Sequence, residues 1–134
     1  MEHSFGRVDA EAQLTGAEWL VRQGLAKAGH IGLCGLSYGG LLLAMSLARF
    51  PDTFSCVVSG APTTSWDGYD TFDTEKYIGL PKENHDAYEY GPIMHHVHKI
   101  RGKLLLVHGM IGENCALPAH SKTCQLAHCS WQVK

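Results

Sequence analysis

The sequence predicts an α/β fold with a parallel sheet that is covered by helices on both faces. Short continuous apolar runs of strand length, at residues 31–34, 55–59 and 103–108, alternate with helix-length segments. Continuous apolar strands of this kind are typical of parallel sheets that are buried on both sides. The first of these runs leads into Gly-Leu-Ser-Tyr-Gly, a strand–turn–helix pattern around Ser37.

Composition limits the class of protein. The chain has 134 residues, 45% of them hydrophobic and 18% charged, which favours one globular domain or a piece of one. A net charge of −2 gives no electrostatic reason to expect a nucleic-acid partner. No apolar run approaches a membrane span and the N-terminus is unlike a signal peptide, so the default expectation is the cytoplasm. Five cysteines without a regular framework favour a reducing compartment.

The first helical pattern lies between Asp9 and Gly24. Asp9 is a plausible N-cap, and the residues expected on the buried stripe are Leu14, Ala17, Trp19, Leu20 and Val21. A second helix is predicted from Gly39 to Arg49, and Pro51 marks its end. The segment from Met94 to Ile100 predicts a short helix before the last strand.

Ser37 lies in a G-x-S-x-G pattern that predicts a nucleophile elbow. At so tight a turn, Gly35 and Gly39 are expected to prevent clashes while the serine takes a strained conformation that exposes its hydroxyl. A structural turn or a phosphate-binding loop is the alternative. The lysine of a P-loop is missing and the spacing does not fit G-x-G-x-x-G, so the elbow is favoured.

Aromatic residues are concentrated between Thr63 and Tyr90, after the second predicted strand. Because ligands bind at the carboxyl edge of a parallel sheet, this segment is placed to line a pocket. The alternative is an ordinary surface loop in which the aromatic rings pack against one another. The aromatic residues are Trp66, Tyr69, Phe72, Tyr77, Tyr88 and Tyr90.

These segments together resemble the catalytic domain of the dipeptidyl peptidase IV-like branch of the prolyl oligopeptidase serine peptidases. The similarity runs from about Arg7 to Asn114. It is carried, in order, by Val-Asp-Ala-Glu, Gly-Ala-Glu-Trp-Leu, Gly-Leu-Ser-Tyr-Gly-Gly, Gly-Ala-Pro, Trp-Asp-Gly-Tyr-Asp-Thr, Thr-Glu-Lys-Tyr-Ile-Gly-Leu-Pro and Leu-Leu-Leu-Val-His-Gly. The resemblance implies a partial α/β-hydrolase fold and hydrolysis of peptides after proline or alanine.

The resemblance also implies the roles of five residues. Ser37 matches the nucleophile, and the backbone N–H of Tyr38 matches one oxyanion donor. Trp66 and Tyr69 match aromatic positions of the pocket for a proline-like residue, and Asn114 matches a polar residue beside it. The implied partner is a peptide substrate, and neither a cofactor nor a metal is expected.

The sequence departs from the family pattern at four positions. Asp73 stands where a tyrosine is expected, and Leu36 replaces the usual tryptophan before the nucleophile. Gly112 stands where the catalytic aspartate is expected, and Glu113 is poorly placed to substitute for it. The family's histidine would lie beyond the sequence, and His95, His96, His98 and His108 do not obviously replace it. Because a serine without an oriented base is a weak nucleophile, this chain alone is expected to be inactive.

Residues 115–134 form a tail without resemblance to the family. Its cysteines and histidines fit no regular zinc spacing. A frameshift would account for this tail. Family members typically continue with Val-His-Phe-Arg-His-Thr-Ala-Arg-Leu-Val-Asn-Ser-Leu-Ile-Ala-Ala-Gly-Arg. If this peptide is encoded with suitable synonymous codons and one T is inserted in front of them, the shifted reading frame translates to Cys115 through Gln132. The sequence therefore predicts a family domain over residues 1–114 and a frameshifted tail over residues 115–134.

Three functional hypotheses follow from the sequence. The first is serine peptidase ancestry in an incomplete and inactive piece, in which exposed sheet edges favour aggregation. The second is an esterase or another acyl hydrolase on the same fold. The peptidase-like sequence motifs between Trp66 and Tyr77 count against this hypothesis. The third is a non-enzymatic remnant that pairs with a full-length enzyme.

Overall fold

The computed structural model of the chain describes residues 6–66, 69–109 and 130–131. Its helices are α1 (Arg7–Arg22), α2 (Tyr38–Arg49), α3 (Thr71–Ile78) and α4 (His85–Tyr90). Its strands are β1 (Ile31–Leu36), β2 (Phe54–Gly60), β3 (Lys103–Val107) and β4 (Ser130–Trp131), and two 3₁₀ turns at Ile93–His95 and Val97–Lys99 precede β3. The three predicted strands and the predicted second helix are confirmed.

The strands form one parallel sheet in the order β1-β2-β3-β4. In the register Val57 pairs with both Leu33 and Leu104, so these three side chains share a face. The short β4, which lies in the predicted tail, pairs with Leu105 and Leu106 of β3. The predicted α/β class with a parallel sheet is therefore confirmed.

Helix α2 packs on one face of this sheet and forms the centre of the core. Leu41 and Leu47 are fully buried, and they face Phe54 and Val57 of β2 in one hydrophobic cluster. The helix ends at Arg49 as Pro51 predicted, because the residue before a proline disfavours helical backbone. A helix this apolar needs cover on several sides, and α1 and the 3₁₀ turns supply it.

Helix α1 contacts α2 through small residues rather than through its large apolar ones. Ala10 and Ala17 are buried, whereas Trp19 is 51% exposed. The two alanines are seven positions apart and therefore lie on one side of the helix. The predicted stripe was wrong at Trp19 and Leu20, because close approach to α2 selects the alanine side of α1.

The predicted N-cap of α1 was also wrong. The cap residue is Gly6, with φ of 89°, and Asp9 is the third residue of the helix. The Asp9 carboxylate reaches back and accepts a hydrogen bond from the Gly6 N–H at 3.2 Å. An acidic residue at this position satisfies an amide of the first turn from within the helix.

The other sheet face is exposed over much of the described chain. Leu36 is 71% exposed, Val107 is 43% exposed and Val58 is 38% exposed, and all three lie on the face opposite α2. Strand β1 forms one edge of the sheet. These apolar side chains agree with the predicted tendency to aggregate.

Two helices in the aromatic segment were not predicted. Asp70 caps α3 by accepting a hydrogen bond from the Asp73 N–H at 2.9 Å, and Gly79, with φ of 81°, follows its last residue. Helix α4 begins after Asn84, whose side-chain amide donates to the Ile78 carbonyl at 2.9 Å. The predicted helix at residues 94–100 is instead the pair of 3₁₀ turns.

No helix within residues 6–66 and 69–109 combines the length and the apolar character that a membrane span requires.

Candidate active site

Ser37 lies at the turn between β1 and α2, at the carboxyl edge of the parallel sheet. Its backbone has φ of 56° and ψ of −123°, a combination that side chains rarely adopt. Two backbone hydrogen bonds hold this conformation: the Ser37 N–H donates to the Gly60 carbonyl at 2.8 Å, and the Ser37 carbonyl accepts from the Leu41 N–H at 3.1 Å. The serine is exposed, as a nucleophile elbow requires.

Glycines around Ser37 allow β1, α2 and β2 to approach closely. A Cβ on Gly35 would lie 2.9 Å from the Gly39 backbone, and a Cβ on Gly40 would lie 2.9 Å from the Gly60 carbonyl oxygen. At Gly39, by contrast, a Cβ would meet no described atom within 4 Å. The steric role predicted for Gly35 is therefore supported, whereas the role predicted for Gly39 belongs to Gly40.

The first turn of α2 lies directly after Ser37. Helix α2 begins at Tyr38, and the amide groups of a first helical turn point toward the helix N-terminus, next to the serine. The described chain places no acidic residue in this turn and no side-chain cap on it. The positive end of the helix dipole therefore remains available to stabilise negative charge that develops beside Ser37.

The Tyr38 side chain is fixed by the first helix. Its hydroxyl donates a 2.6 Å hydrogen bond to Asp9 Oδ2. Burial, together with this hydrogen bond and the charge of Asp9, raises the pKa of the Tyr38 hydroxyl well above its ordinary value. The phenol consequently stays neutral across the physiological range and keeps its donor role.

A cavity of about 350 Å³ adjoins this tyrosine. Trp66 is 4% exposed and packs in the core, and α3 contributes residues from its inner side. The lining residues are Tyr38, Thr63, Trp66, Tyr69, Asp73, Thr74 and Tyr77. The structure therefore brings three of the predicted site residues, Tyr38, Trp66 and Tyr69, to one cavity beside the elbow.

Two other aromatic residues of this segment, Phe72 and Tyr88, do not line the cavity. Phe72 is 75% exposed, and the Tyr88 hydroxyl donates to the Gly79 carbonyl at 2.8 Å, which ties α4 to the end of α3. Thr63 and Thr74 line the cavity although the sequence did not single them out. Thr74 could have been predicted from the N-cap residue and the terminal glycine of α3. These two signals define a helix, and a helix places residues 73, 74 and 77 on one side.

No described side chain is in place to act as a base for Ser37. The Ser37 hydroxyl makes no hydrogen bond to another side chain within residues 6–66 and 69–109. His108 follows β3, and its Nδ1 lies 2.6 Å from the carbonyl oxygen of Gly109. His95 and His98 lie exposed on the 3₁₀ turns, as expected for surface histidines.

Several predicted positions lie outside the described residues. These are Asn114, Gly112, Glu113 and the cysteines and histidines of the tail. Within the part of the chain that the structure describes, no three potential metal ligands come together.

Comparisons with known proteins bear on the whole chain. The family model described as "Prolyl oligopeptidase family" matches residues 1–126. Dipeptidyl peptidase 8 from Homo sapiens is 34% identical over an alignment of 117 residues, and the match covers 84% of this chain and 13% of that protein. Dipeptidyl peptidase 4 from Felis catus is 31% identical over an alignment of 112 residues, and the match covers 81% of this chain and 15% of that protein.

Solved structures give the same result. The crystal structure of Porphyromonas gingivalis dipeptidyl peptidase 4 superposes with a TM-score of 0.90 at 27% identity, and the match covers 99% of this chain and 19% of that one. The chain therefore spans only about an eighth to a fifth of the length of these relatives. The family match over residues 1–126 and these likenesses show that the chain belongs to the prolyl oligopeptidase family.

Proposed function

We propose that this chain is an incomplete piece of a dipeptidyl peptidase-like serine peptidase, with Ser37 as the nucleophile. The observation that carries the proposal is the strained, exposed backbone of Ser37 at a β–α turn beside an aromatic cavity. The reaction would be hydrolysis of a peptide bond after proline or alanine. Two of the relatives are named dipeptidyl peptidases, which supports a peptide substrate.

In this proposal the Ser37 oxygen attacks the carbonyl carbon of the substrate. The carbonyl oxygen becomes negative as the new C–O bond forms, and the Tyr38 N–H is one donor that stabilises it. Trp66 and Tyr69 hold the side chain next to that carbonyl, because flat aromatic walls suit a compact substrate group. On the family resemblance, Asn114 is proposed as a further polar contact for the substrate.

We further propose that the chain alone does not turn over substrate. The described part of the chain offers Ser37 no hydrogen-bonded base, and Gly112 has no carboxylate with which to orient one. Loss of the orienting carboxylate alone costs about 10⁴ in rate where it has been isolated. Acylation of Ser37 should therefore be slow, and peptide turnover should be undetectable.

Labelling with a fluorophosphonate tests the nucleophile. Because acylation is slow without a base, the 134-residue chain should gain one adduct only on long incubation with excess reagent, located on Ser37 by peptide mass spectrometry, and Ser37→Ala should abolish it. Ser55→Ala is the matched control, because Ser55 lies on β2 and outside the cavity lining. A chain that never labels is the non-enzymatic remnant, whereas turnover of a short ester without turnover of a proline dipeptide amide favours the esterase hypothesis.

For the domain organisation we propose a family domain over residues 1–114 and a frameshifted tail over residues 115–134. The family match ends inside this tail, at residue 126. The two residues of β4 pair with β3 through the backbone, a contact that requires little of the sequence. Sequencing the transcript across the codons for Ile111 to Leu117 tests the proposal, and a transcript without the extra base overturns it.

A further inference from the structure

The cavity beside Ser37 combines aromatic walls with a carboxylate. Four of its lining residues are aromatic, namely Tyr38, Trp66, Tyr69 and Tyr77. The lining also contains one acidic residue, Asp73. A purely apolar ligand would bury apolar surface against the rings. It would also desolvate the carboxylate, and it has no polar group that could replace the lost water. The composition of the lining therefore favours a ligand that is both apolar along its length and positively charged.

The charges around the cavity point the same way. The Asp73 side chain is half-buried and makes no hydrogen bond or ion pair with any residue that the structure describes. A second carboxylate, Asp9, lies 2.6 Å from the Tyr38 hydroxyl, which adds negative potential behind that wall. None of the seven lining residues is cationic.

One cation among the described residues, Lys76, contacts a lining residue but lies outside the lining itself. The ammonium of Lys76 is 5.1 Å from the centroid of the Tyr77 ring and 5.7 Å from that of the Phe72 ring. It forms no ion pair with Asp73 within the usual distance. Lys76 thus shows that an alkylammonium group packs against Tyr77, one of the lining rings, and it leaves the Asp73 carboxylate without an ion pair among the described residues.

We propose that this cavity is a cation-selecting site that takes an alkylammonium group, with Asp73 as the ion partner and the rings of Trp66 and Tyr69 as cation–π partners. Its volume of about 350 Å³ accommodates a four-carbon chain with its ammonium. Applied to catalysis, which rests on the proposed function, Asp73 would extend the residues accepted next to the attacked carbonyl from proline or alanine to one with a lysine-type side chain. The binding preference itself rests on the cavity alone.

A series of three ligands of equal length tests the site by binding. The ¹⁵N-labelled full chain is titrated with n-butylammonium, 1-butanol and butyrate, and the Trp66 indole N–H signal is followed by NMR. The ammonium should bind about tenfold more tightly than the alcohol, and butyrate should bind most weakly. Equal affinity of the ammonium and the alcohol would overturn the proposal.

Two variants locate the preference. Asp73→Asn keeps the shape and removes the charge, so the ammonium should lose most of its advantage over the alcohol. Asp86→Asn removes one charge at an exposed position on α4 and should leave the preference unchanged. An ammonium preference that survives Asp73→Asn in a folded protein would refute the assignment, and if that variant does not fold, the wild-type series still decides.

A separate labelling experiment distinguishes this inference from the proposed function. An aminobutyl fluorophosphonate and a butyl fluorophosphonate are compared for their rates of reaction with Ser37. Faster labelling by the amino compound supports substrate selection, and equal rates contradict it. If neither compound labels Ser37, the proposed nucleophile fails, while the binding series continues to test the cation site.

Discussion

The Tyr38 hydroxyl and the Asp9 carboxylate form a 2.6 Å hydrogen bond that joins the residue after Ser37 to the first helix. The same carboxylate also accepts from the Gly6 N–H at 3.2 Å, so it connects the start of α1 to the start of α2. The position of the elbow thus depends on a helix that lies earlier in the sequence.

Removing this hydrogen bond should destabilise the protein. Tyr38→Phe leaves the partly buried Asp9 with one donor fewer, and the expected loss is about 1–2 kcal/mol in the free energy of unfolding. Urea denaturation followed by circular dichroism measures it. Thr15→Val is the control, because the Thr15 hydroxyl donates to the Glu11 carbonyl at an exposed position, and equal losses in the two variants would argue against a special role for Tyr38.

The raised pKa of Tyr38 predicts a pH dependence of stability. Burial and Asp9 disfavour the phenolate in the folded state, whereas the unfolded tyrosine ionises near its ordinary value of about 10. The folded state therefore binds more protons above that pH, so stability from this group is constant below about pH 10 and falls as the pH rises further. Tyr38→Phe should show a shallower decline between pH 9.5 and about 11. Parallel curves for the two proteins would contradict the prediction.

Adjacent glycines should differ sharply in their tolerance of alanine. Gly40→Ala places a Cβ 2.9 Å from both the Gly60 carbonyl oxygen and Ser59 Oγ, and the expected cost is about 1–3 kcal/mol. Gly39→Ala meets no described atom and replaces a poor helix former, so its stability should remain within about 0.5 kcal/mol of the wild type or rise. Thermal unfolding of the two variants compares them directly, and the reverse order would contradict the geometry of the elbow.

The cap of α3 should control the cavity. Asp70→Ala removes the acceptor of the Asp73 N–H, at an expected cost of about 1 kcal/mol. Because α3 supplies Asp73, Thr74 and Tyr77 to the lining, binding of n-butylammonium should weaken as well. Amide hydrogen exchange should show faster exchange over residues 71–78. Asp52→Ala, in the turn after α2, is the control that should change neither property.

The exposed face of the sheet should drive self-association. Val58→Thr and Val107→Thr keep the β-branched shape that strands favour while reducing exposed apolar surface. The double variant should remain monomeric to higher concentration in light scattering, with little change in thermal stability. If the double variant aggregated at the same concentration as the wild type, a surface other than this sheet face would be responsible for self-association.

Much of the elbow could be predicted from the sequence because its signals are local. A short apolar strand, a glycine-flanked serine and a helix-length apolar run occupy neighbouring positions, and Pro51 fixes the end of the helix. The errors fell where a local signal was ambiguous. Asp9 lies near a helix start either as a cap or as the third residue, and only Gly6 in a left-handed conformation decides between them.

The cavity shows the limit of sequence patterns most clearly. Its aromatic residues were expected near the carboxyl edge of the sheet, but Phe72 faces solvent while Tyr77, one turn and a half later on the same helix, lines the cavity. Which side of α3 faces inward depends on its packing. A single short helix carries too weak a periodicity to state it in advance.

By itself the sequence determined the fold class, the location of the three main strands along the chain and the position of Ser37 at a strand–helix turn, because hydrophobic runs and glycine spacing act between neighbouring residues. Only the tertiary structure decided that Gly40 rather than Gly39 needs to be small, that Asp9 holds Tyr38, and that Asp73 shares a cavity with Trp66 and Tyr69. Those relationships join residues that are distant in the sequence, and they exist only once the helices have packed on the sheet.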